Sequence, residues 1–424
     1  MHLEPKGMAV NQRPAMPLSE NPQTNRFAGQ EARDANLDAF GKTLLVSWGV
    51  PPALLGSASI VEKFGMQLGQ NHVVLVGEGC PDCKQYQRAP ELPKIHYVYT
   101  PLDFRGRRTI RNSMLPLVVR RIDRIARAGK FSRVIGVFPD EFWMWSGYHV
   151  ARKRGIPFYP FLHNTYLENR TGWRKSLARI VQKKVFAHSK VVFVANDGMR
   201  QFYRQHYPGL NVVTLDHINE EPIPVFAKPP TPGKILKVAY LGSFNMSNAD
   251  AFTRFAKAVQ TLPDVQFTTF SKDSADRFVK LGLSGANFAH SRVPYHLAVA
   301  TLRGFDVMFL PHGFTGSLSE VEYNTIFPTR TIPYLLTGRP ILAHSPPTSF
   351  LNCWLRQHDC ALIVDRADPG DLHVALSRLR NDAELRSRLV QNGLLAARQF
   401  LPQDVMQRFW AAIAQAEKQA AIPS

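Results

Sequence analysis

Between residues 43 and 402 the chain alternates short, apolar, often β-branched runs with stretches of helical period, and it does so twice. The first series has strand-like runs at 43–48, 73–76, 95–99, 134–138, 157–162 and 191–195. Between several of them lie residues spaced as one helix face, such as Ile110, Met114, Leu117, Ile122 and Ile125. Buried strands separated by helices describe a parallel sheet covered on both faces. Five prolines within 220–234 then make a stiff connection. The second series has strands expected at 236–241, 265–270, 307–310, 341–343 and 361–364, with helices at 249–261, 295–303 and 330–337. The expected fold class is α/β, with two doubly wound Rossmann-like domains facing a cleft. Their bounds are 43–225 and 235–402, with a linker at 226–234 and a final helix at 403–424, free to cross back to the first domain. Ligands in such sheets bind beyond the carboxyl ends of the strands.

Length agrees, since 424 residues exceed one ordinary domain. Nowhere is there the run of roughly 20 apolar residues that a membrane span needs. Residues 1–42 carry Pro5, Pro14, Pro17 and Pro22 among polar neighbours, which reads as a disordered tail rather than a secretory leader. A cytoplasmic location is the default expectation. The formal charge of +19 implies an anionic partner: nucleic acid, a lipid surface or phosphorylated ligands. No helix-turn-helix, RNP aromatic pattern or zinc finger supports nucleic acid. Cys80 and Cys83 form a C-P-D-C pair, while Cys353 and Cys360 lie far along the chain. Zinc ligation by all four, redox chemistry at the first pair, and plain structural thiols are the three options. The expectation is no metal.

The segment Phe327-Pro328-Thr329-Arg330 is the most specific stretch. Thr329 is suited to capping a helix, and Gly338 sits where a left-handed residue ends one. Pro333 is tolerated only in a first turn, so it places Arg330 there too. A guanidinium beside free backbone N–H groups is a place for phosphate. The bland alternative is an arginine on a solvated helix end.

Three stretches, 236–243 (LKVAYLGS), 293–312 and 327–343, resemble the second half of group-1, family-4-type glycosyltransferases of the GT-B fold. In that family a strand ends in a glycine near the donor phosphates, as Gly242-Ser243 does here. A helix ends in G-x-P before the next strand, as at Gly338-Arg339-Pro340. Pro328-Thr329-Arg330 is similar to the P-[ST]-[KR] segment of members acting in surface-polysaccharide assembly. The resemblance implies transfer of a sugar from a nucleoside-diphosphate sugar to a hydroxyl of a glycan or lipid-linked acceptor, in polysaccharide or glycolipid biosynthesis. It implies a hexosyltransferase without metal or resident cofactor, the nucleotide sugar being a co-substrate; the absence of any D-x-D triplet agrees. The family usually carries two glutamates eight apart; the matching positions here are Thr325 and Pro333. Glu320 or Glu322, in the loop opened by His312, is the candidate replacement, and His312 and Glu322 join the expected donor-binding set.

On the acceptor side the family places a glycine-bearing loop after the first strand, which Gly56 and Ser57 resemble. His163-Asn164 stands where the family commonly has H-D. A histidine there is suited to hydrogen-bonding a sugar or taking a proton from the acceptor hydroxyl; a core or capping histidine is the alternative. Asp140 and Glu141 are the carboxylates best placed to act as base, or else N-terminal charges of the following helix. Arginines 107, 108, 111, 120, 121, 124 and 127 flank one helix. In a second, Trp173, Leu177, Ile180 and Val185 lie among Arg170, Arg174, Lys175, Arg179, Lys183 and Lys184. Basic amphipathic helices suit an anionic membrane surface on its cytoplasmic face. The competing functions are a degenerate scaffold or glycan-binding pair of the same fold, and a sugar-nucleotide epimerase or phosphorylase.

Overall fold

A computed structural model describes residues 41–53, 56–100 and 108–421. The tail expected at 1–42 lies, but for its last two residues, outside that range, as do Arg107 and the side chain of Arg108.

Among the described residues the strands form two parallel sheets of 7 and 6. The first comprises β1 (Thr43–Val46), β2 (Val73–Glu78), β3 (Lys94–Val98), β4 (Arg133–Phe138), β5 (Phe158–Leu162), β6 (Val192–Val194) and β7 (Val212–Thr214). The second comprises β8 (Leu236–Leu241), β9 (Val265–Phe270), β10 (Phe288–Ser291), β11 (Val307–Pro311), β12 (Ile341–His344) and β13 (Leu362–Val364). Their spatial orders are β3-β2-β1-β4-β5-β6-β7 and β10-β9-β8-β11-β12-β13. Strand order reverses between β1 and β4 and again between β8 and β11, so each doubly wound sheet has a switch point where loops diverge.

The strands form because their residues suit burial on both faces. Every residue of β1 and β4 is buried. The two strands that the sequence pattern does not mark, β7 and β10, are sheet edges with only 3 and 4 residues. An edge strand bonds on one side and needs no long apolar run. Helices cover the faces. Helix Glu141–Arg154 starts at Asp140, ends at Gly155 in left-handed conformation (φ 64°), and buries Phe142, Trp143, Met144 and Tyr148. Residues 220–234 carry no helix or strand.

The last helix, Pro402–Ala421, returns to the first sheet. Its Phe409 ring lies 5.1 Å from Phe64 and 5.2 Å from Phe193. Its Glu417 accepts two hydrogen bonds, of 2.9 and 3.2 Å, from Arg133, a residue only 1% exposed. A buried guanidinium left without that carboxylate is costly, about 3 kcal/mol or more, so this helix ties the chain's end to its first domain.

Candidate functional site

β8 delivers the chain to Gly242 and Ser243 at the switch point of the second sheet. Gly242 has φ 111°, a conformation that side chains disfavour. A Cβ there would lie 3.2 Å from the Arg330 guanidinium carbon. Arg330 itself stacks 4.7 Å above the Tyr240 ring, and its Nη2 donates to the Ser243 carbonyl at 3.5 Å. Tyr240 Oη and Asn248 Nδ2 donate to the same carbonyl at 2.7 and 3.2 Å. The turn is thus locked by three donors, while Arg330 Nη1 is buried and makes no hydrogen bond. Gly242, Ser243 and Arg330 are 88 residues apart at the extremes (330 − 242), yet form one cluster.

The helix carrying this arginine is shorter than expected, Thr331–Leu335, and Arg330 is its N-cap rather than a first-turn residue. Thr329 is exposed in the preceding turn, where Thr331 N donates to Pro328 O at 2.9 Å. Pro333 is the third helical residue, and Gly338 is left-handed (φ 68°). Tyr334 pins this segment to β8 by accepting from Leu241 N at 2.7 Å.

The other two donor-side candidates are differently placed. His312 is fully buried at the end of β11, with Nε2 donating to Tyr323 O at 2.6 Å. Burial pushes its pKa down to about 4, so it is neutral. It supports the loop from within rather than facing a ligand. Glu322 is 3% exposed and both its carboxylate oxygens are engaged by the first domain. Asn164 Nδ2 donates to Oε1 at 2.6 Å, and Thr165 N to Oε2 at 3.0 Å, with the Thr165 hydroxyl alongside. Ser319 adds a link by donating to Asn169 Oδ1 at 3.0 Å. Glu322 is therefore a strut between the domains, which corrects its expected role as a substitute for the missing glutamates.

On the expected acceptor side, Ser57 Oγ lies 3.2 Å from His163 Nδ1, joining the first turn of helix Gly56–Leu68 to the end of β5. The Phe161 ring packs edge-on against His163 at 4.4 Å. His217, just beyond β7, stands 6.4 Å from His163, ring to ring. Both Nε2 atoms are buried without a hydrogen-bond partner. Burial lowers the His163 pKa well below its ordinary value and that of His217 to about 4. The result is a buried cluster of two imidazoles kept neutral by burial. His217 is a candidate site residue that the sequence pattern does not mark, because the strand before it is too short to register. Gly56 has nothing within 4 Å of a Cβ, so no close approach requires a glycine there. The loop's tight glycine is Gly49, whose Cβ would lie 3.2 Å from Ala58 N.

Asp140 and Glu141 take the helix-end alternative. Asp140 caps its helix by accepting from Phe142 N and Trp143 N, and receives Arg111 Nη2 at 2.9 and 3.1 Å. Burial raises its pKa, opposed by Arg111. Its Oδ1 is engaged by three donors and its Oδ2 by Arg111, and the residue is only 5% exposed. Glu141 pairs with Arg170 at 2.8 Å at a half-buried site.

The basic helices also resolve. In Gly172–His188, Trp173, Leu177 and Ile180 are 69%, 47% and 54% exposed, among exposed Arg174, Lys175, Arg179, Lys183 and Lys184. Val185, grouped with them above, is buried on the opposite side with Ala178, Val181 and Phe186. In Leu115–Gly129, Arg120, Arg121, Arg124 and Arg127 are exposed, as is Leu117, whereas Arg111 in the preceding helix is buried. Among the described residues, no helix is long and apolar enough to cross a membrane. No trio of His, Cys, Asp or Glu side chains there is grouped to hold a metal ion.

No family model and no curated protein sequence matches the chain. Solved structures do match. A sucrose-phosphate synthase from Thermosynechococcus elongatus superposes with a TM-score of 0.66 at 15% identity, over 90% of this chain and 99% of that one. HepE from Anabaena, solved with UDP-glucose, gives 0.66 at 12% identity, over 88% and 99%. An α,α-trehalose 6-phosphate synthase from Burkholderia multivorans gives 0.56 at 14%, over 91% and 99%. The chain has the two-domain GT-B fold of these proteins.

Proposed function

We propose that the protein is a glycosyltransferase that moves a sugar, a hexose in the first instance, from a nucleoside-diphosphate donor to a hydroxyl of a glycan or lipid-linked acceptor. One observation carries this: Arg330 is fixed over Tyr240 against the side-chain-free turn at Gly242, with a buried Nη1 awaiting an acceptor. A diphosphate laid on that turn meets a positive charge already in place. As the glycosyl bond breaks, negative charge grows on the leaving diphosphate, and a preplaced guanidinium stabilises it without a divalent ion. HepE was solved with UDP-glucose, which makes uridine nucleotides the first donors to try.

The acceptor hydroxyl belongs beside Ser57, His163 and His217. A neutral imidazole both orients a hydroxyl and accepts its proton. The exposed stripe Trp173, Leu177 and Ile180, set among cations, suits an anionic membrane, where a lipid-linked acceptor would be met on the cytoplasmic face. Work in polysaccharide or glycolipid assembly follows from such an acceptor.

The test is a panel of UDP-, GDP- and TDP-sugars titrated against wild type and Arg330→Ala in the presence of chelator. One nucleotide class should bind saturably and Arg330→Ala should bind it far more weakly; normal binding by the variant would end the donor-site assignment. A second function, a catalytically silent scaffold or glycan-binding protein, is favoured by one observation: Thr325 and Pro333 stand at the glutamate positions and Glu322 is consumed as a strut. Nucleotide binding with neither sugar transfer nor donor hydrolysis across a broad acceptor panel would select it.

A further inference from the structure

We propose that Cys80 and Cys83 are a reversible dithiol–disulfide site that exchanges with low-molecular-weight disulfides. β2 ends at Glu78, and the chain turns into a single 3-10 turn, Pro81–Lys84, with Cys80 at its N-cap. The two sulfur atoms are 2.7 Å apart, and Cys80 N donates to Cys83 Sγ at 3.0 Å. A disulfide bond is about 2.05 Å long with closely facing Cβ atoms, so the backbone already holds the pair in bonding register.

The two thiols differ in access. Cys80 is half-buried, whereas Cys83 is only 7% exposed. Burial also pushes the Cys83 thiol up to about 12, so at neutral pH the inner sulfur stays protonated. This order suits stepwise exchange. The Cys80 thiolate attacks one sulfur of an external disulfide, forming a mixed disulfide and expelling one thiolate. Cys83 then gives its proton to solvent base and attacks Cys80 Sγ, forming the internal bond and expelling the second thiolate. Two protein thiols are oxidised, one external disulfide is reduced to two thiols, and the two protons end on those thiols.

The remaining cysteines provide an internal contrast. Cys353 is exposed and Cys360 is buried, and their sulfurs point to the carbonyls of Pro347 and Leu355. Cys80 and Cys83 lie close to Tyr97. Tyr97, on the adjoining β3, donates to Pro51 O at 2.8 Å, in the loop that leads to Ser57.

The experiment uses the full chain and oxidised glutathione as the probe. Protein is exposed to it, quenched with N-ethylmaleimide, and read by intact and peptide mass spectrometry. Wild type should lose two hydrogens and both maleimide adducts from the 80–83 peptide, with dithiothreitol restoring them. Cys83→Ser should instead trap glutathione on Cys80, and Cys80→Ser should leave Cys83 unmodified. If wild-type Cys80 and Cys83 both still take maleimide while Cys353 carries glutathione, the proposal is overturned. It is equally overturned if wild type stops at a mixed disulfide on Cys80. The wild-type measurement stands alone should a variant fold poorly.

Discussion

The proposed donor and acceptor sides occupy equivalent places, the carboxyl ends of two sheets of like topology, yet they are equipped in opposite ways. At the second sheet a permanent charge, Arg330, is laid against a glycine turn. At the first, the charges Asp140, Arg111 and Glu141 are tied up in capping and ion pairs, while Ser57, His163 and His217 form a neutral cluster. Under the proposed function, the first arrangement would meet a charge that grows during reaction and the second would meet uncharged hydroxyls. The comparison also separates residues that look alike in sequence: Glu322 and Arg330 both belong to the donor loops, but only Arg330 has a polar atom left over.

The largest effect that bears on this contrast is expected at Arg330. Arg330→Ala should weaken nucleoside-diphosphate binding about 100-fold, since a charge-assisted bond to phosphate is worth about 3 kcal/mol at the upper end. Arg330→Lys should recover only part of it, because an ammonium lacks the planar fork that stacks on Tyr240. Isothermal titration with UDP reads both. A loss under about 3-fold would mean that charge at the second sheet does not hold the nucleotide.

Glu322 is expected to show the reverse pattern. Glu322→Ala strands Asn164 Nδ2 and Thr165 N, and should cost about 2 kcal/mol of stability in urea unfolding. Nucleotide affinity should stay within about 2-fold of wild type, a difference of roughly 0.4 kcal/mol. Unchanged stability with lost nucleotide binding would return Glu322 to the donor site and erase the distinction drawn above.

Why Arg330 was legible in the sequence and Glu322 was not has a physical reason. Pro333 constrains its own helix, and Gly242 announces a backbone that only glycine adopts readily, so both signals are local. The partners of Glu322 lie 157 and 158 residues earlier, and no local pattern carries that pairing. The buried strands β1, β4 and β8 could be read from composition; the short edge strands β7 and β10 could not. With β7 hidden, His217 had no strand end to mark it. Val185 is out of phase with the exposed line, since helical geometry puts it about 120° around from Trp173.

Acidity offers a subtler probe of the acceptor side. The folded-state pKa values of His163 and His217 are depressed by burial, His217 to about 4. The unfolded chain therefore takes up protons first as pH falls below about 6.5. Their contribution to stability is complete above that value and is lost as pH falls below it, for His217 towards about 4. His217→Gln should shallow that fall by about one proton in the slope of unfolding free energy against pH. Asp216, raised to about 7 by burial, acts in the opposite sense and is common to both proteins. An unchanged slope would show that His217 titrates as in water, and the histidine cluster would then not be the neutral one contrasted with Arg330.

The smallest expected effect tests whether the first domain also differs in what it faces outside the cleft. Trp173, Leu177 and Ile180 form one exposed line, and Arg179 stands beside it. Each cation near an anionic bilayer contributes about 1 kcal/mol, so Arg179→Gln should lower partition onto phosphatidylserine-containing liposomes about 5-fold at low salt. The difference should shrink as salt shortens the Debye length to about 8 Å near physiological ionic strength. Trp173→Ser, which removes apolar area and no charge, should weaken partition equally at both salt concentrations. Two independent dependences are required because a cationic surface alone binds anionic vesicles without insertion. If only Arg179→Gln has an effect, the helix is attracted to the bilayer but does not enter it, and the exposed apolar line must serve another contact.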